Sequence, residues 1–176
     1  MNSIKKNLSR LLILVAIGFV IVIFIDYLID LKNTPMPDRL HPVVAEKRDT
    51  LISQAKEKGI SILITDDFRT VEKQNRLYEQ GRSEEGNIVT YAKGGSSYHN
   101  YGLAIDFAIQ LENGHVIWDL QYDGNENGHS DWMEVVDLAK NLGFEWGGDW
   151  ESFKDYPHLQ IDFGLSIREL QWGKRP

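Results

Sequence analysis

Hydrophobic positions along the chain fall into two regimes. From Leu11 to Ile25, fifteen consecutive residues carry no charge, and Tyr27-Leu28-Ile29 prolongs the run past the single Asp26. About 20 apolar residues are needed to cross a bilayer as a helix. Residues 11–29 therefore predict one transmembrane helix, with Asp26 near the far interface. No polar stripe interrupts 11–25, as one would in an amphipathic core helix. A cleaved signal peptide is the competing reading, but Asp26-Tyr27-Leu28-Ile29-Asp30 offers none of the small residues of a cleavage site. Lys5, Lys6 and Arg10 precede the run, and the positive-inside tendency holds that end in the cytoplasm with the rest of the chain outside.

Beyond the anchor the pattern becomes that of a folded domain. Residues 31–42 contain three prolines and read as an extended linker. Val44, Leu51, Ile52 and Ala55 mark one face of a helix that Gly59 stops. Ile60 to Thr65 is a β-branched run, hence a strand. Thr70 caps a helix running to about Gln80. Residues 81–97, with four glycines and four serines or threonines, form a loop. Leu103 to Leu111 predicts a strand, and Val116 to Leu120 its hairpin partner. Trp132, Val135, Val136, Ala139 and Leu142 stand at helical spacing, with Asp131 and Glu134 as a capping box and Gly143 as the stop. His158 to Phe163 is the last strand, followed by a short polar tail. Strands and helices do not alternate regularly, so the class is α+β: a small, mainly antiparallel sheet with flanking helices, preceded by one N-terminal transmembrane helix. The organisation is 1–30 cytoplasmic tip and anchor, 31–42 linker, 43–176 folded domain.

Composition narrows the chemistry. The chain has no cysteine, which excludes a disulfide scaffold, a thiolate zinc site and a thiol nucleophile. Its net charge of −7 is unevenly spread: residues 1–34 carry +2 and the remainder −9. No nucleic-acid partner is expected, because phosphate binding needs a surplus of Lys and Arg on one face.

The most informative stretch is Ser97-Tyr98-His99-Asn100-Tyr101-Gly102-Leu103-Ala104-Ile105-Asp106. A loop delivers His99, Gly102 permits a close turn, and Asp106 follows inside a strand, with Gly102 and Ala104 leaving space. Asp155-Tyr156-Pro157-His158 opens the last strand with a second imidazole. His99, Asp106 and His158 would give zinc three ligands and leave a fourth position for water, the mark of a catalytic rather than a structural site. Asp155 could take a proton from that water as it attacks a carbonyl carbon. Each residue singly has a plainer explanation, a hydrogen-bonded histidine or a solvated or capping aspartate, and spacing by itself leaves both readings open.

Ser97-x-His99-x-x-Gly102-x-Ala104-x-Asp106, followed about fifty residues on by Asp155-x-x-His158, resembles the zinc-dependent D-alanyl-D-alanine carboxypeptidase and L-alanyl-D-glutamate endopeptidase family, which shares its fold with the hedgehog signalling domain. The likeness covers most of 40–165. It implies one catalytic zinc on His99, Asp106 and His158, an acid/base at Asp155, and a substrate arginine at Arg69. It also implies a peptidoglycan stem peptide as substrate and a catalytic domain outside a cell membrane. Family dipeptidases and carboxypeptidases usually carry Glu at the acid/base position. Asp155, with Leu77-Tyr78-x-x-Gly81-Arg82-Ser83 and Ile88-Val89-Thr90-x-Ala92, resembles instead the L-alanyl-D-glutamate endopeptidases, which cut inside the stem. The alternatives are a D-alanyl-D-alanine carboxypeptidase, a zinc-retaining cell-wall binding module without turnover, and a regulatory membrane protein with an incidental match. Asp155 and Arg69 beside the ligands favour an enzyme.

Two further features carry expectations. Asp123-x-Asn125-x-Asn127-Gly128, with Asp131 and Glu134, fits a calcium-loop pattern, although the preceding residues read as strand and any long turn uses the same residue types. Trp146-Gly147-Gly148-Asp149-Trp150 either walls a peptide groove or packs the core. His41, His115 and His129 lack partner patterns and read as surface residues.

Overall fold

Period-two alternation along one central strand sorts the domain into a packed side and an open side. The computed structural model describes residues 12–176 with their side chains, and the backbone of the first helix from Asn2. Lys5, Lys6 and Arg10, which set the expected orientation, lie outside the residues whose side chains are described. The helices are α1 (Asn2–Lys32), α2 (Pro42–Glu57), α3 (Val71–Glu79), α4 (Asp131–Asn141) and α5 (Ile167–Gln171). The strands are β1 (Ile62–Asp66), β2 (Ala104–Gln110), β3 (Val116–Ile117), β4 (Glu145–Trp146) and β5 (His158–Gln160). The chain separates into two compact units, 36–167 and a smaller one of 1–35 with 168–176.

Every pairing in the sheet is antiparallel, in the order β1-β2-β5-β4, with β3 also on β2. β5 takes the Ala104–Asp106 half of β2 and β3 takes the Ile109–Gln110 end. Phe107 of β2 meets Trp132 of α4 with ring centroids 4.5 Å apart, so Ile105, Phe107 and Ile109 face the helices. Val44, Leu51 and Ala55 of α2 and Val135, Val136 and Ala139 of α4 complete that buried layer. Ala104, Asp106 and Ala108 then point the other way. Asp106 stands opposite His158 and opposite Asp66 in register, which places all three on the open face.

The expected elements are present, with differences at their ends and one strand, β4, that the sequence did not predict. The hairpin partner β3 ends at Ile117, and β5 ends at Gln160. Ser130, not an Asp131–Glu134 box, caps α4, its hydroxyl accepting from Met133 N at 3.2 Å. The tail contains α5. His41 caps α2 through Nδ1, which accepts from Val43 N, whereas His115 and His129 are exposed. From Leu12 to Ile25 α1 is exposed and uncharged, and the stretch Leu12–Lys32 is long and apolar enough to cross a membrane.

Candidate active site

His99 sits in a 3-10 turn, Tyr98–Tyr101, that ends in Gly102 at φ +67°. A side chain at Gly102 would run into the backbone of Arg39, Leu40 and His41, so only glycine permits this turn to pack there. The turn is stitched to the end of β1 from both sides: Arg69 N donates to His99 O at 3.1 Å, and the Asn100 amide donates to Arg69 O at 2.8 Å. His99 is thereby held over Asp106 and His158.

The three functional tips converge. His99 Nε2 lies 3.2 Å from Asp106 Oδ1 and 3.2 Å from His158 Nδ1, and His158 Nδ1 lies 3.3 Å from Asp106 Oδ1. A triangle with these edges is one face of a tetrahedron whose centre is about 2.0 Å from each corner, the Zn–N and Zn–O bond length. The proton inventory points the same way. His99 Nδ1 is 2.7 Å from the carbonyl of Asp67, which can only accept, so Nδ1 carries the hydrogen and Nε2 offers a lone pair. His158 Nε2 faces Gln160 Oε1 at 3.0 Å, while the Gln160 amide donates to Glu145 Oε2 at 2.9 Å. That relay fixes the Gln160 oxygen toward His158, so Nε2 donates and Nδ1 is the second lone pair. Asp106 Oδ1 is buried without a hydrogen-bond partner. Three acceptor atoms face one another at contact distance, an arrangement that requires a proton or a cation among them. His99, Asp106 and His158 thus form a group able to hold a metal ion.

The electrostatics agree. Burial alone would raise the Asp106 carboxyl, but the two imidazoles hold it far below the usual carboxylate range. Burial opposes a charge on His158, yet Asp106 raises its proton affinity above the ordinary value. Asp155 is raised, chiefly by burial, with Asp106 adding to the effect and His158 opposing it. Asp155 lines the same cleft, of about 1250 Å³, as the three converging residues.

Arg69 is 8% exposed and lines that cleft. Its Nε and Nη2 donate to Asp66 Oδ2 at 3.1 and 2.9 Å, Nη1 donates to Gln74 at 2.7 Å, and Nη2 reaches Asp106 Oδ2 at 3.5 Å. The Trp-Gly-Gly-Asp-Trp segment divides its work. Trp146 is buried and donates from Nε1 to Tyr156 O at 2.7 Å, holding the Asp155 loop. Trp150 lines the cleft with its ring 5.2 Å from that of His158. A side chain at Gly147 would overlap the Asp155 carbonyl and stand 3.0 Å from the Asp155 Cβ, so this glycine admits the Asp155 loop. Gln160 and Glu145 went unnoticed in the sequence. The available signal was strand alternation, since Gln160 is two residues beyond His158 and shares its face.

The calcium-loop pattern is spent otherwise. Asp123 accepts from Asn127 N and Gly128 N at 3.1 and 2.9 Å, and Asp131 Oδ2 accepts from Gly124 N at 3.1 Å. Glu134 takes Lys58 Nζ at 2.8 Å and the amides of Asn125 and Asn127 at 3.1 and 2.8 Å. The Asp123 and Glu134 carboxylates are thus turned to the loop's own donors and Lys58, Asp131 Oδ1 alone is buried without a partner, and calcium has no support among the described residues.

The profile of the family described as D-alanyl-D-alanine carboxypeptidase (peptidase M15) matches residues 90–161. The peptidoglycan L-alanyl-D-glutamate endopeptidase CwlK of Bacillus subtilis (strain 168) is 60% identical over 131 residues, 74% of this chain and 78% of that protein. The L-alanyl-D-glutamate peptidase of Listeria phage A118 is 34% identical over 113 residues, 64% of this chain but only 34% of the phage protein. Among solved structures, the L,D-carboxypeptidase DacB of the pneumococcus has a similar fold, with a TM-score of 0.51 at 22% identity, covering 80% of this chain and 79% of that one. So does a vancomycin-resistance D,D-pentapeptidase, VanY, in complex with Zn(II), with a TM-score of 0.50 at 16% identity, covering 78% and 90%. With a convergent His-Asp-His group on the scaffold of these proteins and three-fifths identity to one of them, the chain belongs to the M15 family of peptidases.

Proposed function

We propose that this protein is a zinc-dependent, membrane-anchored hydrolase of peptidoglycan stem peptides, cutting the L-alanyl–D-glutamate bond. One observation carries the reading: three lone-pair atoms meet at 3.2–3.3 Å with their protons committed elsewhere. His99 Nε2, Asp106 Oδ1 and His158 Nδ1 would hold the ion. Bound zinc supplies electrophilic polarisation of a carbonyl oxygen and acidifies water.

The chain's own groups do the rest. The Asp155 carboxylate takes a proton from the attacking water and returns it to the leaving amine. Its raised proton affinity suits it to both halves of that transfer. Arg69, already paired to Asp66 and reaching Asp106, presents positive charge to the cleft, where developing negative charge on the carbonyl oxygen or a substrate carboxylate is stabilised. Trp150 walls the groove beside His158.

The anchor at 1–30, the linker at 31–42 and the catalytic domain at 43–176 form a single-pass arrangement, with the N-terminus in the cytoplasm and the cleft outside. The test is mass spectrometry of purified muropeptides digested by the detergent-solubilised protein with zinc. The expected products end in L-alanine on one side and begin with D-glutamate on the other. Release of terminal D-alanine instead would make it a carboxypeptidase.

A further inference from the structure

The smaller compact unit joins the C-terminal residues 168–176 to the outer end of α1, and nothing in the active site explains why. The union is close. Gly173, at φ +96°, lies so tightly against the carbonyl of Leu31 that no side chain could stand there. The Arg175 guanidinium donates to Pro35 O at 3.2 Å and to Leu170 O at 2.7 Å. Around this junction Tyr27, Leu28, Leu31, Trp172 and Lys174 line an apolar recess of about 300 Å³. Trp172 is 60% exposed and Tyr27 56%. Large aromatic rings exposed side by side mark a surface that meets something.

Geometry says what that is. The stretch Leu12–Lys32 is the span candidate, and at about 1.5 Å per residue its length matches a hydrocarbon core of about 30 Å. The outer boundary of the hydrocarbon then falls between Asp26 and Lys32, the stretch on which the C-terminal residues dock. Anything docked on Leu28 and Leu31 is within a helical turn of that boundary, in the headgroup layer. The residues found there are of the type that layer selects: two aromatic rings with polar atoms, and long basic side chains at Lys32 and Arg168 that can extend toward headgroups. The exposed apolar surface of α1 is also continuous with Tyr27 and Trp172.

We infer that the C-terminal segment 168–176 is a second membrane contact, with Trp172 seated in the lipid headgroup layer beside the end of α1. This rests on the membrane-spanning reading of α1 made above. Residues 36–167 are then tethered at both ends, by Pro35 and by Arg168, instead of swinging from a single linker.

The absence of cysteine makes the test clean, since one introduced thiol is the only one. Phe19→Cys, Asn113→Cys and Trp172→Cys are each labelled with a small fluorophore in the full chain, reconstituted into phosphatidylcholine–phosphatidylglycerol vesicles. Quenching by lipids with a nitroxide at the headgroup or deep in the acyl chain is then compared. The label at 19 reports the span, the label at 113 an exposed hairpin turn. The inference expects the label at 172 to be quenched at least twofold more by headgroup nitroxides than the label at 113, and Gly173→Ala to erase that difference by undocking the tail. Deep quenching at 19 with equal quenching at 172 and 113 would overturn the tail contact alone. No lipid quenching at 19 would overturn the anchor and the tail contact together.

Discussion

Two regions of this domain carry runs of metal-binding residue types, and they behave oppositely. In the loop 123–134, the carboxylates of Asp123 and Glu134 and one oxygen of Asp131 accept from the loop's own N–H groups, its asparagine amides and Lys58. Among His99, Asp106 and His158 the hydrogen-bond donors are turned outward, to Asp67 O and Gln160, and the lone pairs inward. A pattern of ligand residues is therefore not a metal site. What distinguishes one is acceptors left without donors, pointed at one another and buried.

Breaking the triangle should have the largest effect. His158→Ala is expected to abolish both zinc binding, read by metal content after gel filtration, and peptide hydrolysis. Next comes the acid/base. Asp155→Ala should keep one zinc per chain and lose about 10²–10⁴ in turnover. Full activity in that variant would remove Asp155 from the mechanism. Then comes the relay behind His158. Gln160→Ala frees the imidazole to rotate and to change tautomer, so zinc affinity measured by chelator competition should fall about 10–100-fold while the fold is retained.

The smallest effect is expected in the other region. Glu134→Gln should leave zinc content and hydrolysis unchanged and cost about 1 kcal/mol or less, read by urea unfolding. Calcium should not raise the unfolding temperature of either protein. Lys58 and, less strongly, the asparagine amides lower Glu134 from its ordinary value of 4.5 to about 2. A depressed carboxyl contributes stability that is fully present above its unfolded value and is lost as pH falls toward its folded one. The wild type should therefore lose this increment between about pH 4.5 and pH 2, and Glu134→Gln should not. Calcium-dependent stabilisation would collapse the contrast between the two regions.

Much of the fold was legible because it is written locally. The apolar run of α1, the helical spacing of Trp132, Val135, Val136 and Ala139, and the alternation through Ile105, Phe107 and Ile109 each depend on neighbours in sequence. The misreadings were at ends, where partners decide. Asp131 and Glu134 look like a cap, but Asp131 is drawn to Gly124 and Glu134 to Lys58, leaving Ser130 to cap α4. Arg69 alone suggests a surface residue. It is buried because Asp66 and Gln74 absorb its charge and donors.

The sequence by itself determined which residue types carry the chemistry, where they lie in strands and turns, and that an apolar segment precedes them. Only the tertiary structure decided which of their atoms are free to bind. An imidazole keeps its proton on the nitrogen that an acceptor reaches, and those acceptors arrive from elsewhere: Asp67 O for His99, and Gln160 Oε1, oriented by Glu145, for His158. Proton placement is set by contacts across strands, and no local periodicity encodes it.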